Sequence, residues 1–138
     1  MEPGPDTRQV RRARQVRAGP RAPSLARAWV TEVIDARLPP DRLDDLRFVV
    51  SELVTNSVLH AGLAAGAPIR LTLEVSAARV VLSVRDGGRG LLLDDVRPRP
   101  GEARGRGLGI VARLSTRLLV DPSGGVVTIE MATAPEAS

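Results

Sequence analysis

Three short stretches combine residue types that can do chemistry. In the run Ser51-Glu52-Leu53-Val54-Thr55-Asn56-Ser57-Val58-Leu59-His60-Ala61, the residues Glu52, Asn56 and His60 recur every four positions. On a helix each such step drifts only about 40° around the axis, so the three form a slanted stripe along one side. Leu46, Val49, Val50 and Leu53 mark the buried side, and the stripe borders it. Alone, this is an ordinary polar border between core and solvent. Beside a cavity, the same carboxylate and amide can handle a water, a hydroxyl or a metal ion. The second stretch is Asp86-Gly87-Gly88-Arg89-Gly90, directly after an alternating apolar run. Its glycines let the backbone turn sharply and let a planar ligand approach closely. A carboxylate there can accept a hydrogen bond from an exocyclic amine. Alone, it is a common strand-end turn. The third stretch is Gly105-Arg106-Gly107-Leu108-Gly109, ahead of an apolar helical pattern. Glycines at a helix start expose backbone N–H groups where the dipole also favours an anion, as in a phosphate cradle. This stretch lacks the preceding strand and the spacing of a dinucleotide-binding fingerprint.

The elements that must position these residues follow from periodicity and punctuation. Residues 1–23 hold four prolines around an Arg-rich run and read as a basic, partly disordered arm, with an edge strand near residues 10–16. Ser24 can cap a helix to about Leu38, with Trp29, Val30, Val33 and Ile34 inward. Pro39-Pro40 stops it, and Asp41 can cap the next helix, which runs to about Ala61 before Gly62. Ile69, Leu71, Leu73 and Val75, then Val80, Leu82 and Val84, alternate with polar residues and predict a hairpin. Residues 86–106 read as loop. A helix starts near Gly107, and a second hairpin spans 118–120 and 126–131. Helices come first, then strands mixed with one helix. That order predicts an α+β fold: a two-layer sandwich, mostly antiparallel mixed sheet with helices on one face. The domain is placed at 24–132, with a frayed tail at 133–138.

Composition narrows the function classes. The chain has 138 residues, no cysteine, one histidine and no lysine; all 20 basic residues are Arg. Disulfides, cysteine zinc sites and multi-histidine metal centres are excluded. A Walker phosphate loop, the usual protein-kinase fold and Schiff-base chemistry each need a lysine. With only Trp29 and Phe48 aromatic, a stacking platform for single-stranded nucleic acid is not supported. Residues 1–21 carry six Arg against Glu2 and Asp6, which accounts for the whole net charge of +4. The high pI therefore belongs to the arm and not to a basic domain, and direct nucleic-acid binding is not expected. No apolar run reaches membrane-span length. Absence of cysteine and of a secretion signal points to the cytoplasm.

Occurring together and in this order, the three stretches resemble the nucleotide-binding boxes of the GHKL, or histidine kinase-like, ATPases. The resemblance spans residues 24–132. The wording of residues 51–61, with Gly105-Arg106-Gly107-Leu108-Gly109-Ile110-Val111, is similar to one branch, the bacterial anti-sigma factor serine kinases. The resemblance implies ATP and Mg²⁺ as cofactors. It gives Asn56 the Mg²⁺, Glu52 the role of general base or water positioner, and Asp86 the adenine amine. Gly88 and Gly90 shape the pocket floor. Gly105, Gly107, Leu108 and Gly109 lie along the phosphates and hinge a lid over 91–104. His60 is assigned to packing or the phosphate side, not to catalysis. Many relatives carry a Thr just after the glycines before the final strand, beside the adenine; here Val126-Val127 stand there and Thr128 comes later. The lid's Arg89, Arg97, Arg99 and Arg104 are candidates to clamp phosphates or a partner, against the commoner fate of solvated charges.

The implied function is a regulatory serine/threonine kinase that binds a sigma factor and phosphorylates an anti-anti-sigma partner. Relatives commonly dimerise, so a homodimer belongs to the same expectation. The alternative is an ATP-dependent partner switch without kinase activity, because nucleotide boxes do not prove turnover. The ATP-binding half of a histidine kinase ranks third, since the sequence shows no helical dimerisation segment and no second histidine to accept phosphate.

Overall fold

The computed structural model describes residues 9–60, 62–87, 104–121 and 125–134. In chain order the elements are β1 (Val10–Arg17), α1 (Ala22–Ile34), α2 (Pro40–His60), β2 (Pro68–Val75), β3 (Arg79–Asp86), α3 (Arg104–Leu114), β4 (Arg117–Asp121) and β5 (Val126–Ala132). The sheet runs β1-β2-β3-β5-β4, and all four pairings are antiparallel. The α+β sandwich expected from the element order is present. Among the described residues its sheet is antiparallel throughout.

Alternation decides which face the helices cover. In β2, Ile69, Leu71, Leu73 and Val75 are buried, while Arg70, Thr72 and Glu74 turn to the other side. β3 and β5 repeat the pattern. Trp29, Val30 and Ile34 of α1, with Leu46, Val49 and Val50 of α2, join these strand residues in one core. The opposite face stays polar: Arg11 pairs with Glu74 at 3.5 Å, and the hydroxyls of Ser83 and Thr128 lie 3.0 Å apart.

Several boundaries differ from those read in the sequence. The edge strand expected near residues 10–16 is β1, paired along its whole length with β2, and Val16 and Ala18 enter the core. The limit between arm and domain therefore moves from residue 24 to before Val10; residues 1–8 lie outside the described residues. The exposed Arg11, Arg12 and Arg14 put charge along the sheet edge, which discourages pairing with another strand. Ser24 does not cap α1. The helix starts at Ala22, and the Ser24 hydroxyl donates to the Arg21 carbonyl at 3.0 Å. Pro23 in the first turn explains the earlier start, because proline costs no hydrogen bond there. At the other end, Thr133 donates to the carbonyls of Ala77 and Ala78, and 135–138 lie outside the described residues.

One polar side chain adds to the apolar packing of α2 on the sheet. Arg42 donates through Nε and Nη2 to the Ala132 carbonyl at 3.1 and 3.0 Å, and through Nη1 to Asp45 at 2.8 Å. Its guanidinium fork thereby ties the start of α2 to the end of β5.

Candidate functional site

Helix α2 is the hub of the site. Its residues 46, 49, 50, 53 and 54 are buried, and Ser57 continues that stripe at 7% exposure. A hydroxyl on an apolar stripe needs an acceptor. It finds one in Asp86, the last residue of β3: Ser57 Oγ donates to Oδ2 at 2.7 Å, with both residues buried. The Asp86 backbone N–H is fixed as well, by the Gly125 carbonyl at 3.0 Å. Asp86 is thus a buried carboxylate held from the helix and from the neighbouring strand.

Glu52 and Asn56 occupy the half-buried border of α2. The Asn56 amide donates from Nδ2 to the Glu52 carbonyl at 2.7 Å, one turn back, which leaves Oδ1 to act as a ligand or acceptor. The Glu52 carboxylate lies against α3. A Cβ added to Gly107 would come within 2.7 Å of Glu52 Cδ and 3.2 Å of Oε1, so a side chain there would displace the carboxylate from this position. Gly107 is the fourth residue of α3, so the Glu52 carboxylate meets the first turn of that helix. Burial between the two helices raises the Glu52 pKa above the ordinary value of 4.5. The two contacts of α2, to α3 at Glu52 and to β3 at Ser57, are five residues or about 7.5 Å apart along the axis.

The glycine box departs from expectation. The sequence predicts a loop before a helix that starts near Gly107, but α3 already begins at Arg104, and Gly105, Gly107 and Gly109 all lie inside it. Gly105 belongs to the first turn, whose N–H groups lack intrahelical acceptors, whereas the N–H groups of Gly107 and Gly109 fall within the helical ladder. Gly109 is buried, and the Leu108 side chain, 3% exposed, is part of the core. Gly88, Gly90, the lid up to residue 103 and the His60 side chain lie outside the described residues. Thr128 does not replace the displaced threonine: it lies on the sheet face away from the helices, beside Ser83, while Val127 faces the core. Sequence reasoning missed Ser57, whose signal was a polar residue in phase with the apolar stripe. Arg42 left no such signal, because its acceptor is a backbone carbonyl 90 residues away.

The family model for the histidine kinase-like ATPase domain matches residues 7–131, nearly the whole chain. The chain belongs to that family. Domains of this kind bind ATP, usually with Mg²⁺. Among other matches, this histidine kinase-like ATPase domain is 32% identical over 130 residues to the signal transduction histidine-protein kinase AfsQ2 of Streptomyces coelicolor. That match covers 80% of this chain but only 22% of the relative, so the chain spans about a fifth of that protein. Two solved structures share the fold. The RsbU and RsbW domains of a Mycobacterium tuberculosis protein superpose with a TM-score of 0.63 at 20% identity, over 90% of this chain and 33% of theirs. The histidine kinase domain of a blue-light activated kinase from Erythrobacter litoralis gives 0.54 at 18%, over 80% and 59%. The domain's own residues fit the metal. Among the described residues no cluster of three or more acidic or histidine side chains could cage a cation. Mg²⁺ keeps several waters and takes phosphate oxygens, so the single amide oxygen of Asn56 is a sufficient protein ligand. No helix among the described residues is long and apolar enough to cross a membrane.

Proposed function

We propose that this domain binds Mg-ATP between α2, the end of β3 and the start of α3, and transfers the γ-phosphoryl group to a serine of a regulatory partner. The observation that carries the reading is the shared use of α2. One helix presents Glu52 to the first turn of α3 and Ser57 to the buried Asp86. Asp86 accepts the exocyclic amine of adenine. The first turn of α3, which carries Gly105 and Gly107, faces the phosphates, and Asn56 Oδ1 contributes to the metal. When bound, Mg²⁺ neutralises charge on the phosphate oxygens. Glu52 orients the partner's hydroxyl and takes its proton as the serine oxygen bonds to the γ-phosphorus. The bond from that phosphorus to the bridging oxygen breaks, and ADP leaves. A raised pKa suits that work, since it makes the carboxylate a stronger base at neutral pH.

The partner reading follows the branch that residues 51–61 resemble: sequestration of a sigma factor and phosphorylation of an anti-anti-sigma protein. Fold likeness to a chain that contains an RsbW domain supports it. A second reading, transfer to a histidine, is favoured by the identity to AfsQ2. An ATP-dependent switch without turnover is the third. One experiment separates them. The full chain is co-purified with its native partners and incubated with γ-labelled ATP. Acid-stable label on a small partner is the expected result. Acid-labile, alkali-stable label shows transfer to histidine, and ATP-dependent partner binding without label shows the switch.

The metal assignment has its own test. Asn56→Ala is expected to abolish the magnesium-dependent gain in ATP affinity while the circular dichroism spectrum stays unchanged. Calorimetric titrations with Mg²⁺ and with excess chelator measure that gain; its survival in the variant removes Asn56 from the metal site.

A further inference from the structure

We infer that Ser57 is a positioning residue for base recognition: its hydroxyl fixes the Asp86 carboxylate in the orientation that accepts an exocyclic amine, and so sets the preference for adenine over 6-oxopurines. The inference rests on the adenine reading of Asp86. A carboxylate has two oxygens and rotates about its terminal torsion through a broad, shallow well. What holds it decides where its lone pairs point. Here a buried hydroxyl donates to Oδ2 at 2.7 Å, a short and charge-assisted bond. Ser57 is 7% exposed and so is Asp86, so water competes little for either partner. The serine stands on a long helix anchored to the sheet by Arg42, while the aspartate ends a central strand. Both ends of the bond are therefore rigid. The acceptor is also fixed in kind: with the hydroxyl proton committed to Oδ2, the group that meets the base is a lone-pair donor. It attracts the 6-amino group of adenine and repels the 6-oxo group of hypoxanthine or guanine. Ser57 acts through Asp86 and need not touch the nucleotide.

The test compares ATP with ITP, which differs by replacing the amine with an oxo group. In calorimetric titrations of the full chain, Ser57→Ala is expected to weaken ATP binding about tenfold and ITP binding less than twofold, so that the ATP/ITP ratio collapses. Ser57→Thr, which keeps a hydroxyl at the same place, should restore most of the ratio. In an Asp86→Asn background, Ser57→Ala should lower ATP affinity no further, since the carboxylate that the hydroxyl orients toward the amine is absent. Equal losses for both nucleotides, with a matching drop in melting temperature, would show a packing role only and overturn the inference. So would an unchanged ATP/ITP ratio. If the wild type binds ATP and ITP alike, the adenine reading itself falls, and this inference with it. Wild-type preference for ATP with no response to Ser57→Ala removes Ser57 alone.

Discussion

Glu52→Gln is expected to lower phosphoryl transfer by about 10²–10⁴-fold while ATP affinity stays near wild type. The carboxylate sits one helical turn before Asn56, against the start of α3, and not at the Asp86 end of the site. It is thus placed for the transferred group and not for the base. Glutamine keeps the size and one acceptor oxygen but loses the basicity. Single-turnover transfer from labelled ATP to the co-purified partner gives the rate, and calorimetry on the same samples gives the affinity. Unchanged transfer removes Glu52 from the mechanism. A thermal readout tests its environment independently. Because burial raises the folded-state pKa, the ionised form is the disfavoured one in the folded chain. The wild type therefore loses stability relative to the variant as pH rises through that raised pKa. Glu52→Gln should melt above wild type at neutral pH, and the gap should close as pH falls toward 4.5, the ordinary glutamate value. A constant gap across that range would mean that solvent, not burial, surrounds the carboxylate.

What the sequence revealed and what it hid divide along the range of the interactions. The alternation of Ile69, Leu71, Leu73 and Val75 against Arg70, Thr72 and Glu74 is a local signal, and β2 forms with that facing. Glu52 and Asn56 were visible because helix geometry makes a spacing of four a spatial neighbourhood. The start of α3 was misread because Gly105 and Gly107 have poor intrinsic helix propensity, which marks a loop. The close approach of Glu52 to Gly107 is a tertiary reason for glycine there, and no window around residue 107 contains it. β1 was legible as an edge strand, but its high Arg content assigned it to the arm; only pairing with β2, nearly 60 residues later, makes it part of the domain. The Ser57–Asp86 bond spans 29 residues and two element types, so its only trace in the sequence was one polar residue on an apolar stripe.

Asp86→Asn should reduce ATP affinity roughly 5- to 150-fold, matching about 1–3 kcal/mol for a buried acceptor lost to its donor. The argument turns on donor chemistry more than on charge. Asparagine fits the same space, and its Oδ1 can still accept the Ser57 hydroxyl that now bonds Oδ2 at 2.7 Å. If it does, the atom left to meet the base is the Nδ2 amide, a donor where a lone pair stood. The 6-amino group of adenine then faces another donor, while a 6-oxo group gains a partner. ATP affinity should therefore fall, and ITP affinity should hold or rise. The backbone anchor of residue 86, its N–H to the Gly125 carbonyl at 3.0 Å, is untouched by the substitution, so the strand end should stay in place. Melting curves recorded beside the titrations check that point. A variant that folds normally and binds ATP as tightly as wild type would exclude Asp86 from base recognition. Parallel losses for ATP and ITP would instead assign the carboxylate to the architecture of the cleft, with the base read by other groups.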